Sequence, residues 1–270
     1  MNIIFFGSYP WSVLFLKKLL EFNSIHVVSV VTKYNTRKTS YNKITPVAQF
    51  CRDNGICNIL CSYDQAIEIC KKEKIYAVLS VAYPYIIKED ILGKTIFGGI
   101  NIHPSLLPRW RGPDPVRRAI LHRDGEIGCS IHQLTAKFDE GDILWRQSIP
   151  YAGQTCGEVL DLLYKKCSEH IEDVLVGYFT GKLKAVPQLG NSSYARTLGD
   201  DEIQITSDTT REQAQTIYNA LAPFAYPIFK EPSGRHLSVK SLSLQQRDHP
   251  FLARRLSDGT IWILPDNLSL

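Results

Sequence analysis

Gly99-Ile100-Asn101-Ile102-His103-Pro104-Ser105-Leu106-Leu107-Pro108-Arg109-Trp110-Arg111-Gly112 is the stretch that decides the fold. An apolar run over 96–102 carries Asn101 and is followed by His103, after which Pro104 and Pro108 bound a loop. Residues i and i+2 of a strand share a face. Asn101 and His103 therefore stand side by side where a strand gives way to a loop. Open α/β sheets hold their ligands at such strand ends. Downstream, Phe138-Asp139-Glu140-Gly141-Asp142 supplies carboxylates. An amide, an imidazole and a carboxylate together can handle protons.

Working outward, the pattern alternates. Apolar, strand-like runs are predicted at 2–6, 26–32, 56–61, 76–81 and 96–103. Helical spacing falls at 12–22, 46–54, 63–72 and 115–122. Strands alternating with helices imply a mostly parallel, Rossmann-like sheet with helices on both faces. Two further strands, 128–133 and 143–149, flank the Asp139 loop, and 155–180 is the longest helical pattern, closed by Gly181. Residues 187–197, rich in Gly, Asn, Ser and Arg, read as a linker or as a strap over the first domain. A helix at 209–221, opened by Thr209 or Thr210 with Glu212 shortly after, precedes short strands at 224–229, 236–242, 252–256 and 260–264. The expected fold class is thus an α/β catalytic domain over 1–190. A linker and a small β-rich C-terminal domain would occupy 191–270.

Bulk properties bound the function. The 270 residues, 44% hydrophobic and 21% charged, suffice for a real core and for one large domain or two smaller ones. A net charge of +4 does not by itself demand a nucleic-acid partner. The seven cysteines are odd in number and show no C-x-x-C pair, which predicts reduced thiols in a cytoplasmic protein. The first residues lack the basic region of a signal peptide. No apolar run approaches the roughly 18 residues of a spanning helix, so no membrane association is expected.

An Asn amide can donate to an oxygen that gains negative charge, and a His can take or give a proton or sit as a positive charge beside that oxygen. Asp139 can hold the imidazole or shuttle a proton through water. The same spacing also suits a satisfied strand-end histidine beside a turn-forming Asn.

The longer pattern narrows this. Asn101-Ile102-His103, then Ser105-Leu106-Leu107-Pro108, then Asp139-Glu140-Gly141-Asp142, resembles the folate-dependent formyltransferases. The family's Asp follows its His by 36 positions, as 139 follows 103 here. The likeness covers about the first 190 residues. It implies an enzyme that moves a formyl group from N10-formyltetrahydrofolate to an amine, with no metal. Asn101 would hydrogen-bond the formyl oxygen. His103 would stabilise the intermediate or relay its proton. Asp139 would orient His103 or accept the amine proton through water.

For the folate, the resemblance points to Ser80, Tyr83, Tyr85 and Ile86 after one strand, to Leu106 as wall or packing, and to Asp142 as polar contact or turn cap. For the acceptor it points to Lys33, Arg37 and Lys38 in a basic loop, and to Ser105, Arg109 and Trp110. In layout the chain is most similar to sugar-nucleotide N-formyltransferases, because about 70 residues follow Asp200 and their start is acidic. The expected acceptor is a nucleotide-linked amino sugar such as a dTDP-4-amino-4,6-dideoxyhexose, which would belong to O-antigen or lipopolysaccharide biosynthesis. A nucleic-acid partner is not expected, and the layout leaves room for a homodimer through the C-terminal region. The alternatives are methionyl-tRNA formylation or formylation of another small amine, such as hydroxyornithine or a carrier-bound aminoacyl group. A formyltetrahydrofolate hydrolase would carry an extra N-terminal domain, whereas the first strand here begins at residue 2.

Overall fold

A computed structural model describes residues 1–33, 44–248 and 250–266. The chain folds into two compact units. The first comprises residues 1–111, 128–148 and 162–193, the second 112–127, 149–161 and 194–270.

The first unit is built on a seven-stranded sheet. In chain order its elements are β1 (Asn2–Gly7), α1 (Pro10–Glu21), β2 (His26–Val31), α2 (Pro46–Asp53), β3 (Leu60–Cys61), α3 (Tyr63–Lys72), β4 (Ala77–Val81), α4 (Glu89–Leu92) and β5 (Gly99–His103). After α5 (Pro115–Leu121) come β6 (Glu126–Gln133), β7 (Ile143–Pro150) and the long α6 (Cys156–Phe179). The strand order is β3-β2-β1-β4-β5-β6-β7. Pairing is parallel from β3 to β5, and β6 lies antiparallel to β5. The central β1 buries Ile3, Ile4, Phe5 and Phe6 completely. A strand covered on both faces reads as a continuous apolar run, which is why 2–6 was legible as one.

Three predicted strands are shorter, by more than one residue, than the apolar runs suggested. Of 56–61 only Leu60 and Cys61 pair, at the sheet edge with Val30 and Val31, and Cys57–Ile59 is a 3-10 turn. Gly98, with φ +65°, bends the chain, so β5 begins at Gly99 rather than at 96. Phe224 and Ala225 instead donate back to the Leu221 carbonyl in a turn, and Pro227 offers only its carbonyl, to the Val239 N–H, so β9 is Ile228–Lys230.

One expectation about cysteine is overturned. Cys129 on β6 and Cys167 on α6 form a disulfide, whereas Cys51, Cys57, Cys61, Cys70 and Cys156 are free. The fold brings two positions 38 residues apart to a Cα separation of 6.9 Å, which sequence spacing could not reveal.

The second unit carries a five-stranded sheet ordered β11-β12-β10-β9-β8, with β8 (Gln204–Ile205), β9, β10 (His236–Ser243), β11 (Leu252–Leu256) and β12 (Gly259–Pro265). α7 (Arg211–Leu221) packs on it through Ala214, beside Phe229, Val239, Ile261 and Ile263. Burial along β10 alternates through Leu237 and Val239 and resumes at Leu242 beyond a register shift, as expected of a sheet with one face covered. The cap of α7 is Thr210, and its reciprocal partner is Gln213, not Glu212. Arg118 donates through both Nη atoms to Glu202, at 2.5 and 3.0 Å, and Arg196 adds a contact at 3.0 Å. These bonds hold the Glu202 carboxyl down at about 2.

Candidate active site

β4 and β5 are parallel neighbours with Ser80 beside Asn101, so both deliver their following loops at one end of the sheet. β5 ends in His103, which is buried at 5% exposure, and Asn101 is half-buried. On the antiparallel side, Asn101 faces His132 and His103 faces Ser130. The loop between β6 and β7 folds back over this pair. A side chain at Gly141 would put its Cβ 2.0 Å from the Gln133 carbonyl oxygen, so only glycine lets the loop lie this close to β6. Asp139 takes φ +52°, and its carboxylate oxygens sit 3.6 Å from His103 Nδ1 and 3.5 Å from His132 Nε2.

The hydrogen bonds decide the tautomers. A carbonyl only accepts, so His103 donates through Nε2 to the Trp110 carbonyl at 2.8 Å. In the neutral ring this leaves the Nδ1 lone pair turned toward Asp139. His132 donates through Nδ1 to the Gln133 carbonyl at 2.7 Å. Its Nε2 then accepts from Asn101 Nδ2 at 3.2 Å, which turns the amide so that its second N–H points elsewhere. Two neighbouring imidazoles are thus pinned in opposite tautomers by backbone. Burial pushes the His103 pKa below its ordinary value; the Asp139 charge opposes that shift and His132 adds to it. His103 therefore rests neutral near pH 7 and is poised to gain a proton beside a carboxylate.

The other predicted residues have the following surroundings. Ser80 is buried on β4. Tyr83 packs edge-on against Phe6 at 5.1 Å between ring centroids, and burial raises its phenol pKa. Tyr85 and Ile86, 37% and 64% exposed, present apolar faces after β4. The Lys33 ammonium lies 5.1 Å from the centre of the Tyr85 ring. Leu106 packs on Gly128, where any Cβ would come within 2.3 Å of it. Asp142 accepts the Gln133 N–H through its backbone carbonyl. Ser105 is buried, and its hydroxyl donates to the Arg109 carbonyl at 2.7 Å. The Arg109 guanidinium lies over the Trp110 ring. Trp110 itself takes φ +58°. Arg37 and Lys38 lie outside the described residues.

His132 is the residue that the sequence analysis passed over. The signal was present: Ser130 and His132 are polar at i and i+2 within an apolar strand, the same rule that selected Asn101 and His103. Among the described residues, no three His, Cys, Asp or Glu side chains are grouped to hold a metal ion.

Comparison with known proteins identifies the family. A methionyl-tRNA formyltransferase of Ehrlichia chaffeensis is 35% identical over 251 residues, 88% of this chain and 80% of that protein. The crystal structure of WlaRD, a sugar 3N-formyl transferase solved with dTDP and 5-N-formyl-THF, superposes with a TM-score of 0.72 at 19% identity, covering 100% of this chain and 99% of that one. The N-formyltransferase of Helicobacter canadensis, solved with folinic acid and dTDP-3-aminofucose, gives 0.73 at 15% identity over 97% and 98% of the two chains. The model of the formyl transferase family matches residues 1–174, a span that includes both strands and the acidic loop of the site, and on that match the chain belongs to the formyl transferase family.

Proposed function

We propose that this enzyme transfers the formyl group of N10-formyltetrahydrofolate to the amine of a nucleotide-linked amino sugar. The observation that carries formyl transfer is the buried, neutral His103 with Asp139 3.6 Å from its Nδ1, the same carboxylate 3.5 Å from His132, and His132 3.2 Å from the Asn101 amide. A reduced folate fits the residues present, because Tyr85 and Ile86 leave apolar surface for a flat ring at the end of β4, next to the strand that bears His103.

When bound, the folate supplies an activated formyl carbon. His103 Nδ1 takes the proton that the attacking amine must lose, and Asp139 stabilises the resulting imidazolium. Asn101 directs its second N–H to the formyl oxygen as charge gathers there, while His132 keeps the amide from rotating. His103 then returns the proton to the leaving nitrogen.

The small acceptor is favoured by charge. Residues 194–270 carry eight Lys and Arg against nine Asp and Glu. Arg196 and Arg118 are paired to Glu202, and Arg254 to Glu231. Neutralising several tRNA phosphates needs an unopposed basic face. The tRNA acceptor remains the second reading, favoured by the names of the sequence relatives at 35% identity.

Turnover with N10-formyltetrahydrofolate tests the choice, with a dTDP-linked 4-amino-4,6-dideoxyhexose and methionyl initiator tRNA as competing acceptors. Formylation of the sugar is expected. Formylation of the tRNA instead, with affinity falling steeply as salt rises, overturns the acceptor assignment and leaves formyl transfer standing.

A further inference from the structure

Two non-glycine residues that face His103 lie in the left-handed region, Trp110 at φ +58° and Asp139 at φ +52°. Such backbone costs on the order of 1–3 kcal/mol and persists only where the surroundings over-determine it. Both residues matter to His103: the Trp110 carbonyl holds Nε2, and the Asp139 carboxylate faces Nδ1. Both are gripped by one stretch of chain, 188–193, within the segment whose composition reads as a linker or a strap.

At one end of that stretch, the Gln188 amide donates from Nε2 to the carbonyls of both Asp139, at 2.7 Å, and Gly141, at 2.8 Å. Its Oε1 accepts from Arg111 Nε and Nη2 at 3.1 and 2.7 Å, which fixes which way the amide faces. Arg111 Nη1 also lies 3.3 Å from Glu140 Oε1, inside the same loop. At the other end, Ser193 Oγ accepts the Trp110 N–H at 2.9 Å, and the Ser193 carbonyl accepts the Arg111 N–H at 2.9 Å. One forked side chain therefore closes the acidic loop from behind. Its guanidinium partner follows directly on the residue that holds the imidazole.

We propose that Gln188 is a positioning residue for formyl transfer: oriented by Arg111, its amide clamps the Asp139–Gly141 backbone and so sets the carboxylate against His103. Gln188 acts through Asp139, and the proposal rests on the assignment of His103 and Asp139 as the proton-handling pair.

A side chain that only props up the fold would lower stability and leave the chemistry of the folded fraction alone. A clamp on Asp139 predicts more. Q188A is expected to lower kcat on the order of 10–100-fold, the scale of an ångström-sized misplacement, with KM changed less than about threefold. Q188E is nearly isosteric and keeps the acceptor for Arg111, but it turns an oxygen toward two carbonyls, so it should lose activity too. It carries the same test if Q188A fails to fold. In a D139N background the Q188A loss should vanish, because the group being positioned has gone.

A second readout needs no acceptor. The groups facing His103 are Asp139, His132 and the Trp110 carbonyl. Of these, the Asp139 charge raises the His103 pKa, so D139N should move its NMR titration to lower pH, and Q188A should move it the same way. An unchanged kcat and His103 titration in Q188A, or an equal loss with and without Asp139, overturns the proposal. If D139N itself turns over at the wild-type rate, the catalytic assignment beneath it falls instead.

Discussion

The two units of this molecule bury different kinds of side chain. Among the described residues, the second unit buries one polar side chain, Asn219, which donates to the Gly153 carbonyl at 2.9 Å. Its core of Ile205, Phe229, Val239, Ile261 and Ile263 is otherwise aliphatic and aromatic. The first unit has a larger core of the same kind, yet it also buries His103, His132, Ser80, Ser105 and Ser130 around one end of its sheet. A buried polar group is costly unless it is hydrogen-bonded. Where hydrogen bonds reach such groups, as they do at His103 Nε2 and at both ring nitrogens of His132, they fix tautomer and direction. Burial in one unit thus yields stability, and in the other it yields orientation.

Substitutions can break that contrast. The largest effect is expected at His103→Ala. Losing an acid–base group costs about 10²–10⁴ in rate, and thermal melting should show the fold intact. Retained activity in a folded variant would remove His103 from the chemistry. Next is Ile263→Ala, a fully buried side chain on β12. It should cost about 2–5 kcal/mol of stability, read by urea melts, with the kcat of the folded fraction unchanged. A loss of kcat greater than tenfold in the folded fraction would mean that the second unit does more than pack.

The smallest effect is at Glu202→Gln. The carboxyl is depressed to about 2 in the folded chain by Arg118 and returns to about 4.3 in the unfolded one. Its contribution is therefore fully present above that unfolded value and is lost as pH falls through about 2. At neutral pH the variant should be less stable by about 1 kcal/mol or less, and the gap in Tm should close between pH 4.5 and 2. A gap that stays constant over that range would mean that the charge is not what matters.

Much of this was legible in the sequence, for reasons that differ from residue to residue. Tyr63–Lys72 was readable as a helix from its apolar spacing, and the structure adds that Ser62 and Gln65 close its first turn reciprocally. Asn101 and His103 stood out because two polar residues of one face interrupt an apolar strand. The spacing to Asp139 then linked them to a downstream loop. What stayed hidden depends on long-range closure. No local pattern says that Cys129 meets Cys167, or that Gln188 reaches the Asp139 carbonyl 49 positions away. The same holds for Trp110, which reads as an aromatic candidate for stacking on a ligand. The folded chain uses its backbone carbonyl, which no side-chain pattern encodes.

The rims of the smaller sheet carry a last consequence. Its outer strands are β8, two residues long, and β11, where Arg254 and Arg255 sit side by side with Arg254 paired to Glu231. Short or charged outer strands make poor templates for a further strand. Edge-to-edge growth of this sheet into ribbons is thereby disfavoured, and a face is the better surface for self-association.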